Sequence, residues 1–327
     1  MKYGRHDAKE YARENLRGLW AANLTPFSSS LEFDEPGFRK NLRHWIDDLE
    51  LDGLFICGKQ AEYFSMSLTE RKRQIEITVE EADGHCGTMI SCSDENIETV
   101  LDLARHAQHL GADYIIVHSP PLYFHKSFDE VLFRYYEFIS SQVDIAVAMW
   151  HQPDYNYVMS PQLCAKIADL PNIVAIKYSV DRALYSELTR IAGEKLIVST
   201  SSEDHWLDNI EELGWQVYLC STPPYLMQTK VDRRIKKYTE LAFAGEYSKA
   251  RVIRDSLDPV REALRTTRPQ DKPQAHQKYW QELVGQVGGP VRRPLLNLTD
   301  AERARTREAF ESCGLGVDRL HSDGNLE

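Results

Sequence analysis

The octapeptide Asn172-Ile173-Val174-Ala175-Ile176-Lys177-Tyr178-Ser179 sets a lysine at the end of an unbroken apolar run. Ile173 to Ile176 is mostly β-branched, which suits a strand of a parallel sheet buried on both faces. A lysine there is hard to explain as packing, because its ammonium is strongly hydrated and burial disfavours the charged form. An amine neutralised in this way is a nucleophile toward carbonyl carbon and can form a Schiff base. The alternative is a lysine that snorkels out of the strand's C-terminal end into water. The place of this strand in the chain bears on the choice.

Outward from it, strand-like and helix-like segments alternate from about residue 18 to residue 221. The strands expected are Leu19–Leu24, Gly53–Cys57, Thr88–Cys92, Tyr114–His118, Ile145–Trp150, Ile173–Lys177, Leu196–Thr200 and Gln216–Ser221. Between them the patterns predict helices over Glu35–Leu49, Thr69–Ala82, Ile97–Leu110, Phe128–Ser140, Pro161–Leu170, Arg182–Ala192 and Asp204–Leu213. Capping boxes at Ser67–Glu70 and Ser127–Glu130, N-terminal signals at Ser93-Asp94-Glu95 and Ser160-Pro161, and Gly111 and Gly214 after two helices punctuate the pattern. Eight β/α units in a row predict a (β/α)8 TIM barrel over 18–222. Residues 1–17 read as a helical extension, 223–313 as a C-terminal helical appendage broken near Thr266–Lys272 and Gly285–Pro294, and 314–327 as a mobile polar tail. Catalytic groups in such a barrel come from the C-terminal ends of strands and the loops that follow. That rule selects Asn23 and Thr25, Gly58–Glu62, Ser91–Asp94, Ser119–Tyr123, Trp150–Pro153, Lys177–Ser179, Ser201–Asp204 and Cys220–Thr222, with Lys177 ending the sixth strand.

The 327 residues carry a formal net charge of −11 and no dense basic cluster, which argues against nucleic acid or an anionic membrane surface as partner. No apolar run approaches the length of a membrane span. The six cysteines form no Cys-x-x-Cys pair, and with no secretory signal at the N-terminus a reducing cytoplasm is the expected setting. His118, His125, His151 and His205 do not fall in zinc-site spacings, and Asp94 and Glu95 read as a helix's first turn, so no metal is expected. There is no dinucleotide fingerprint or phosphate loop, and no cofactor is implied.

An ordered set of segments resembles the dihydrodipicolinate synthase / N-acetylneuraminate lyase family of class I aldolases, over roughly residues 18–313. These are Asn23-Leu24-Thr25-Pro26-Phe27, Asp52–Gly58 leading into Lys59-Gln60-Ala61-Glu62, Leu110–Asp113 leading to Pro120-Pro121-Leu122-Tyr123, Leu170–Lys177, and Gly288–Leu296. The resemblance implies that Lys177 is the Schiff-base lysine acting on pyruvate or a pyruvate-derived 2-oxo acid, and that the chain assembles as a dimer or tetramer, with Tyr123 placed to reach a neighbouring subunit.

The chain departs from the family's pattern at several points. Trp150 stands where the family has a tyrosine that relays protons to and from the Schiff base; an indole N–H donates a hydrogen bond but does not titrate usefully. Lys59 and Gln60 replace paired threonines in the loop that holds the pyruvate carboxylate, where the Gln60 amide and the loop's backbone N–H groups, Ala61 included, remain as donors. Lys59 offers an ammonium that would depress the pKa of Lys177 and pair with a carboxylate, against the alternative of a surface salt bridge. His151 and Tyr155 are candidate replacement acid–base groups, against a hydrogen-bonded structural histidine and a loop tyrosine at a subunit contact. Tyr178 and Leu219 complete the expected substrate-binding set with Tyr123. Aromatics on or beside these loops (Trp150, Tyr63, Phe64, Tyr123, Phe124, Tyr178) favour an apolar or aromatic partner, as in family branches that cleave aromatic hydroxyalkylidene-pyruvates. Two alternatives stand beside this hydratase-aldolase reading: a 2-oxo acid dehydratase without carbon–carbon cleavage, and a non-catalytic ligand-binding paralogue.

Overall fold

The computed structural model describes residues 2–122, 128–154 and 157–316. Eight parallel strands form a nearly closed barrel: β1 (Gly18–Ala22), β2 (Gly53–Ile56), β3 (Gly87–Ser91), β4 (Tyr114–His118), β5 (Ala146–His151), β6 (Ile173–Tyr178), β7 (Ile197–Ser199) and β8 (Val217–Leu219). Strands β1 to β7 pair in sequence order, and β1 also pairs with β8, with Trp20 opposite Leu219. The strands are buried almost throughout, because helices cover the outer face while side chains fill the interior. The remaining seam, between β7 and β8, is bridged by a side chain: Ser199 Oγ donates to the Val217 carbonyl at 2.9 Å and accepts from the Leu219 N–H at 3.0 Å.

The chain-order helices are α1 (Ala8–Asn15), α2 (Glu35–Arg43), α3 (Leu68–Ala82), α4 (Ile97–Leu110), α5 (Phe128–Gln142), α6 (Pro161–Ile167), α7 (Arg182–Ala192) and α8 (Trp206–Leu213). Ser67 and Ser160 cap α3 and α6 as expected, and Gly111 and Gly214 end α4 and α8 in the left-handed region. The cap of α4 is Asn96 rather than the Ser93–Glu95 signal. Asp94 is drawn off instead to pair with the buried Arg71 at 2.9 Å. The helix expected over Glu35–Leu49 passes into a π-helical turn at His44–Asp48, and the Ser127 cap lies outside the described residues.

At the N-terminal end of the barrel the Trp20 indole lies across β2 and β3, where Gly53 and Gly87 are register partners. A Cβ built on either would come within 2.3 or 2.5 Å of that ring, so only glycine fits at both. Helix α1 covers this end, with Ala8 and Ala12 buried and Arg13 donating to the Gly193 carbonyl at 3.0 Å.

After β8 the described chain is helical: α9 (Arg234–Phe243), α10 (Tyr247–Asp255), α11 (Asp258–Thr267), α12 (Pro273–Leu283) and α13 (Asp300–Ser312). The stretch expected to be mobile from residue 314 is still packed at its start: Leu315 is buried, and the Gly316 N–H donates to Asp232 at 3.0 Å. Among the described residues no helix is long and apolar enough to cross a membrane, and no group of three or more His, Cys, Asp or Glu is arranged to hold a metal ion. All six cysteines are buried and unpaired.

Candidate active site

Strands β4, β5 and β6 place His118, Trp150 and Lys177 in one row of register partners. Side chains alternate along a strand, so these three share the barrel interior while their neighbours His151 and Tyr178 face the helices. Lys177 is only 2% exposed. Its Nζ donates to the Cys220 carbonyl at 2.8 Å and lies 4.8 Å from the Trp150 ring centre and 4.9 Å from that of Phe55. Burial pulls its pKa down from 10.5 to about 8, with the Lys59 ammonium adding to the effect and Cys220 opposing it. The snorkelling alternative is thereby excluded, since the amine ends among two rings and a carbonyl rather than in water.

The loop after β2 is bracketed by two residues in the left-handed region, Cys57 and Glu62, both at φ 61°. It carries Lys59 inward. Lys59 Nζ lies 5.3 Å from the same Trp150 ring, 2.9 Å from His118 Nε2, and in contact with Asp154. Lys59 is thus a salt-bridge residue whose ammonium also lies by the ring that flanks Lys177. Burial lowers its pKa and Asp154 opposes that. His118 is buried, and its Nδ1 donates to the Ser119 carbonyl at 2.7 Å, which leaves Nε2 as the acceptor facing Lys59. Burial, then the Lys59 charge, push its pKa down to about 4.

Glu62 fixes this loop to the C-terminal helices. It makes a fully buried ion pair with Lys278 of α12 at 2.8 Å and accepts the Arg292 N–H at 2.8 Å. Gln60 donates its amide to the Ser221 carbonyl, which Gln277 of α12 also reaches, at 3.0 Å. Its amide is therefore committed to the protein, unlike the substrate donor expected at this position. The Ala61 N–H likewise donates to the Gly58 carbonyl, at 3.1 Å, and shapes the turn.

The structure separates the other expected site residues. Trp150 is 4% exposed, and its Nε1 meets no hydrogen-bond acceptor among the described residues. Leu219 faces the interior, since its neighbour Tyr218 stacks on Trp206 of α8. His151 is not brought to Lys177: its Nδ1 meets Ser119 Oγ at 2.8 Å and its Nε2 accepts the Met159 N–H at 3.1 Å. With both ring nitrogens engaged, and its pKa pushed down to about 3 by burial, it has the geometry of the structural alternative. Tyr178, beside it on the outer face, donates to the Met159 carbonyl, so the alternation of β6 removes it from the substrate-binding set. Phe64 is largely exposed, and Tyr63 packs under Arg71. Tyr123, Phe124 and Tyr155 lie outside the described residues.

Three residues at the site escaped the sequence reading. Phe55 is one apolar residue in an apolar strand, with no signal that it faces the amine. His118 enters the sequence reading only as a histidine without zinc spacing, although it ends the expected fourth strand with the parity of an inward residue. Asp154 lies one residue beyond the loop segment selected after β5.

The model of the dihydrodipicolinate synthetase family matches residues 15–312. The 4-hydroxy-tetrahydrodipicolinate synthase of Thermomicrobium roseum is 29% identical over 305 residues, covering 91% of this chain and 95% of that protein. That of Methylobacterium radiotolerans is 26% identical, covering 94% and 99%. Among solved structures, dihydrodipicolinate synthase from Aquifex aeolicus superposes with a TM-score of 0.79 at 22% identity, covering 93% of this chain and all of that one. A prophage protein of the dihydrodipicolinic acid synthase family from E. coli K12, solved in complex with pyruvate, gives 0.79 at 21% identity, with 92% and 99% covered. At these identities the structural likenesses establish the fold.

Proposed function

This chain belongs to the dihydrodipicolinate synthetase family of aldolase-type lyases, and from that membership we propose that Lys177 is its Schiff-base nucleophile, acting on pyruvate or a pyruvate-derived 2-oxo acid. The observation that carries the proposal is the buried Lys177 amine, held on the Cys220 carbonyl with its pKa near 8. Burying an ammonium is costly, and no anionic partner contacts it among the described residues to offset that cost. A neutral amine attacks the 2-oxo carbon, water leaves, and the protonated imine draws electrons from the adjacent carbon–carbon or carbon–hydrogen bond.

Lys59 has two parts in this reading. Its charge helps keep Lys177 unprotonated, and it is the nearest cation for the substrate carboxylate, which would take over the contact now made by Asp154. The Trp150 N–H supplies a buried donor for a substrate oxygen. Phe55 and Trp150 wall the amine with aromatic carbon, which favours an apolar or aromatic hydroxyalkylidene substituent over a polyhydroxylated one, and hence a hydratase-aldolase. Assembly as a dimer or tetramer belongs to the same reading.

The test is intact-protein mass after borohydride reduction with pyruvate, on wild type and Lys177→Ala. A reduced adduct on wild type alone is expected, followed by an aldehyde screen for the partner. A 2-oxo acid consumed without aldehyde release would instead identify a dehydratase. No adduct on folded wild type, with pyruvate or larger 2-oxo acids, would overturn the reading in favour of a ligand-binding protein.

A further inference from the structure

We propose that His118 is a catalytic residue which, through Nε2, carries the proton to and from the reacting carbon of the imine, a task that the indole of Trp150 beside it has no titrating group to perform. The inference rests on the Schiff-base reading of Lys177. Its basis is placement. His118, Trp150 and Lys177 are consecutive register partners on β4, β5 and β6, so the imidazole and the amine come from the two strands that flank the one carrying the indole. The His118 ring centre is 5.2 Å from that of Trp150, and Lys177 Nζ is 4.8 Å from it. His151, one residue beyond this row on β5, turns away, with its ring nitrogens bonded to Ser119 and Met159.

The tautomer is set by the backbone. Donation from Nδ1 to the Ser119 carbonyl orients the ring and reserves the Nε2 lone pair for a proton. Lys59 Nζ meets that lone pair at 2.9 Å. Lys59 is also the cation that meets the substrate carboxylate, so substrate binding draws the ammonium off Nε2 and turns the base toward the substrate. The carboxylate thereby arms the base in the same event that seats the substrate.

The step balances without an added reagent. Nε2 takes the proton from C3 of the iminium, two bonds and about 2.5 Å from the lysine nitrogen. The C3–H electron pair becomes the C2–C3 double bond, and the C=N π pair returns to nitrogen, giving an enamine. In condensation, the enamine carbon attacks an aldehyde and the new alkoxide takes the proton back from Nε2–H. In cleavage the same transfers run in reverse.

The experiment separates imine formation from proton transfer. Pyruvate is incubated in D2O with wild type, His118→Asn or His118→Gln, and loss of the methyl proton signal is followed by NMR. Borohydride adducts are measured on the same samples, and folding is checked by thermal unfolding. Asn keeps an N–H for the Ser119 carbonyl and Gln keeps an amide near Lys59, but neither accepts a proton as imidazole does. The expected result is a full adduct on both variants with exchange slowed by about 100-fold or more, the scale of general acid–base catalysis. Adduct and exchange both at wild-type levels would overturn the role of His118. Loss of the adduct together with exchange would overturn it too, by making the histidine a structural support for Lys177. No adduct on wild type would remove the Schiff-base reading first, and the inference with it.

Discussion

The pKa of Lys177 makes the sharpest prediction, because a substitution at a second site should move it. Lowering that value from 10.5 to about 8 raises the neutral fraction at pH 7 from about one in three thousand to about one in ten, roughly 300-fold. The initial rate of pyruvate-imine formation, trapped by reduction and read by mass at fixed pyruvate, should therefore climb about tenfold per pH unit below 8 and level off above it. Lys59→Met removes the charge that depresses Lys177, so its midpoint should move upward. Burial, the larger cause, remains, so the midpoint should stay below 10.5. The amplitude should fall as well, because the carboxylate loses its cation, but a midpoint is independent of amplitude. A wild-type rate still rising through pH 10 would contradict this: the amine would then behave as a solvated lysine and the burial around it would have no chemical consequence.

Other outcomes follow from the same contacts. Lys177→Met should abolish the adduct yet stabilise the protein at pH 7 by an amount on the order of 3 kcal/mol, measured by urea unfolding, because the native pKa lies below the unfolded one and the charged amine is penalised below pH 8; the gain should vanish above pH 10.5. His118, His151 and His276 are all buried, with pKa values near 4, 3 and 4, so the unfolded chain gains protons that the folded one refuses; stability should fall as pH drops below 6.5, at up to roughly 4 kcal/mol per pH unit, and a flat stability between pH 7 and 5 would contradict this. Glu62→Gln leaves Lys278 buried without its carboxylate and should cost about 3–5 kcal/mol in denaturant melts, with much of the loss recovered on adding Lys278→Met. Ser199→Ala unlinks β7 from β8, and the Leu219 amide should exchange its hydrogen faster in native-state exchange while the amides of β5 keep their protection.

The barrel was legible because its signal is periodic and repeated. Eight apolar runs separated by capped helices leave few alternatives, and the buried place of Lys177 near the end of β6 belongs to that pattern. Boundaries slipped where tertiary contacts outbid local signals, as when Arg71 claimed Asp94 and left the cap of α4 to Asn96. The site was legible only in part, since side-chain facing depends on strand parity. The strand end expected at Lys177 is followed by one more paired residue, so Tyr178 continues the alternation outward instead of turning into the mouth. His151 fails for the same reason beside Trp150. His118 and Asp154 were hidden because their meaning lies in a partner, Lys59, far away in sequence. The commitment of Gln60 to Ser221 was likewise unreadable, since it depends on where α12 docks.

The neutral oxygen that holds the Lys177 amine acts on more than its position. The Cys220 carbonyl accepts a proton donor without demanding a positive charge, so it can hold the ammonium or the free amine in the same direction. A carboxylate in its place would pin the charged form and raise the pKa. Once an imine forms, the nitrogen keeps an N–H only while it is protonated, and only then can it still donate to this oxygen. In the proposed reaction a single main-chain carbonyl therefore tolerates deprotonation before the attack and selects against it afterwards, which keeps the electron sink charged at the stage where it is needed.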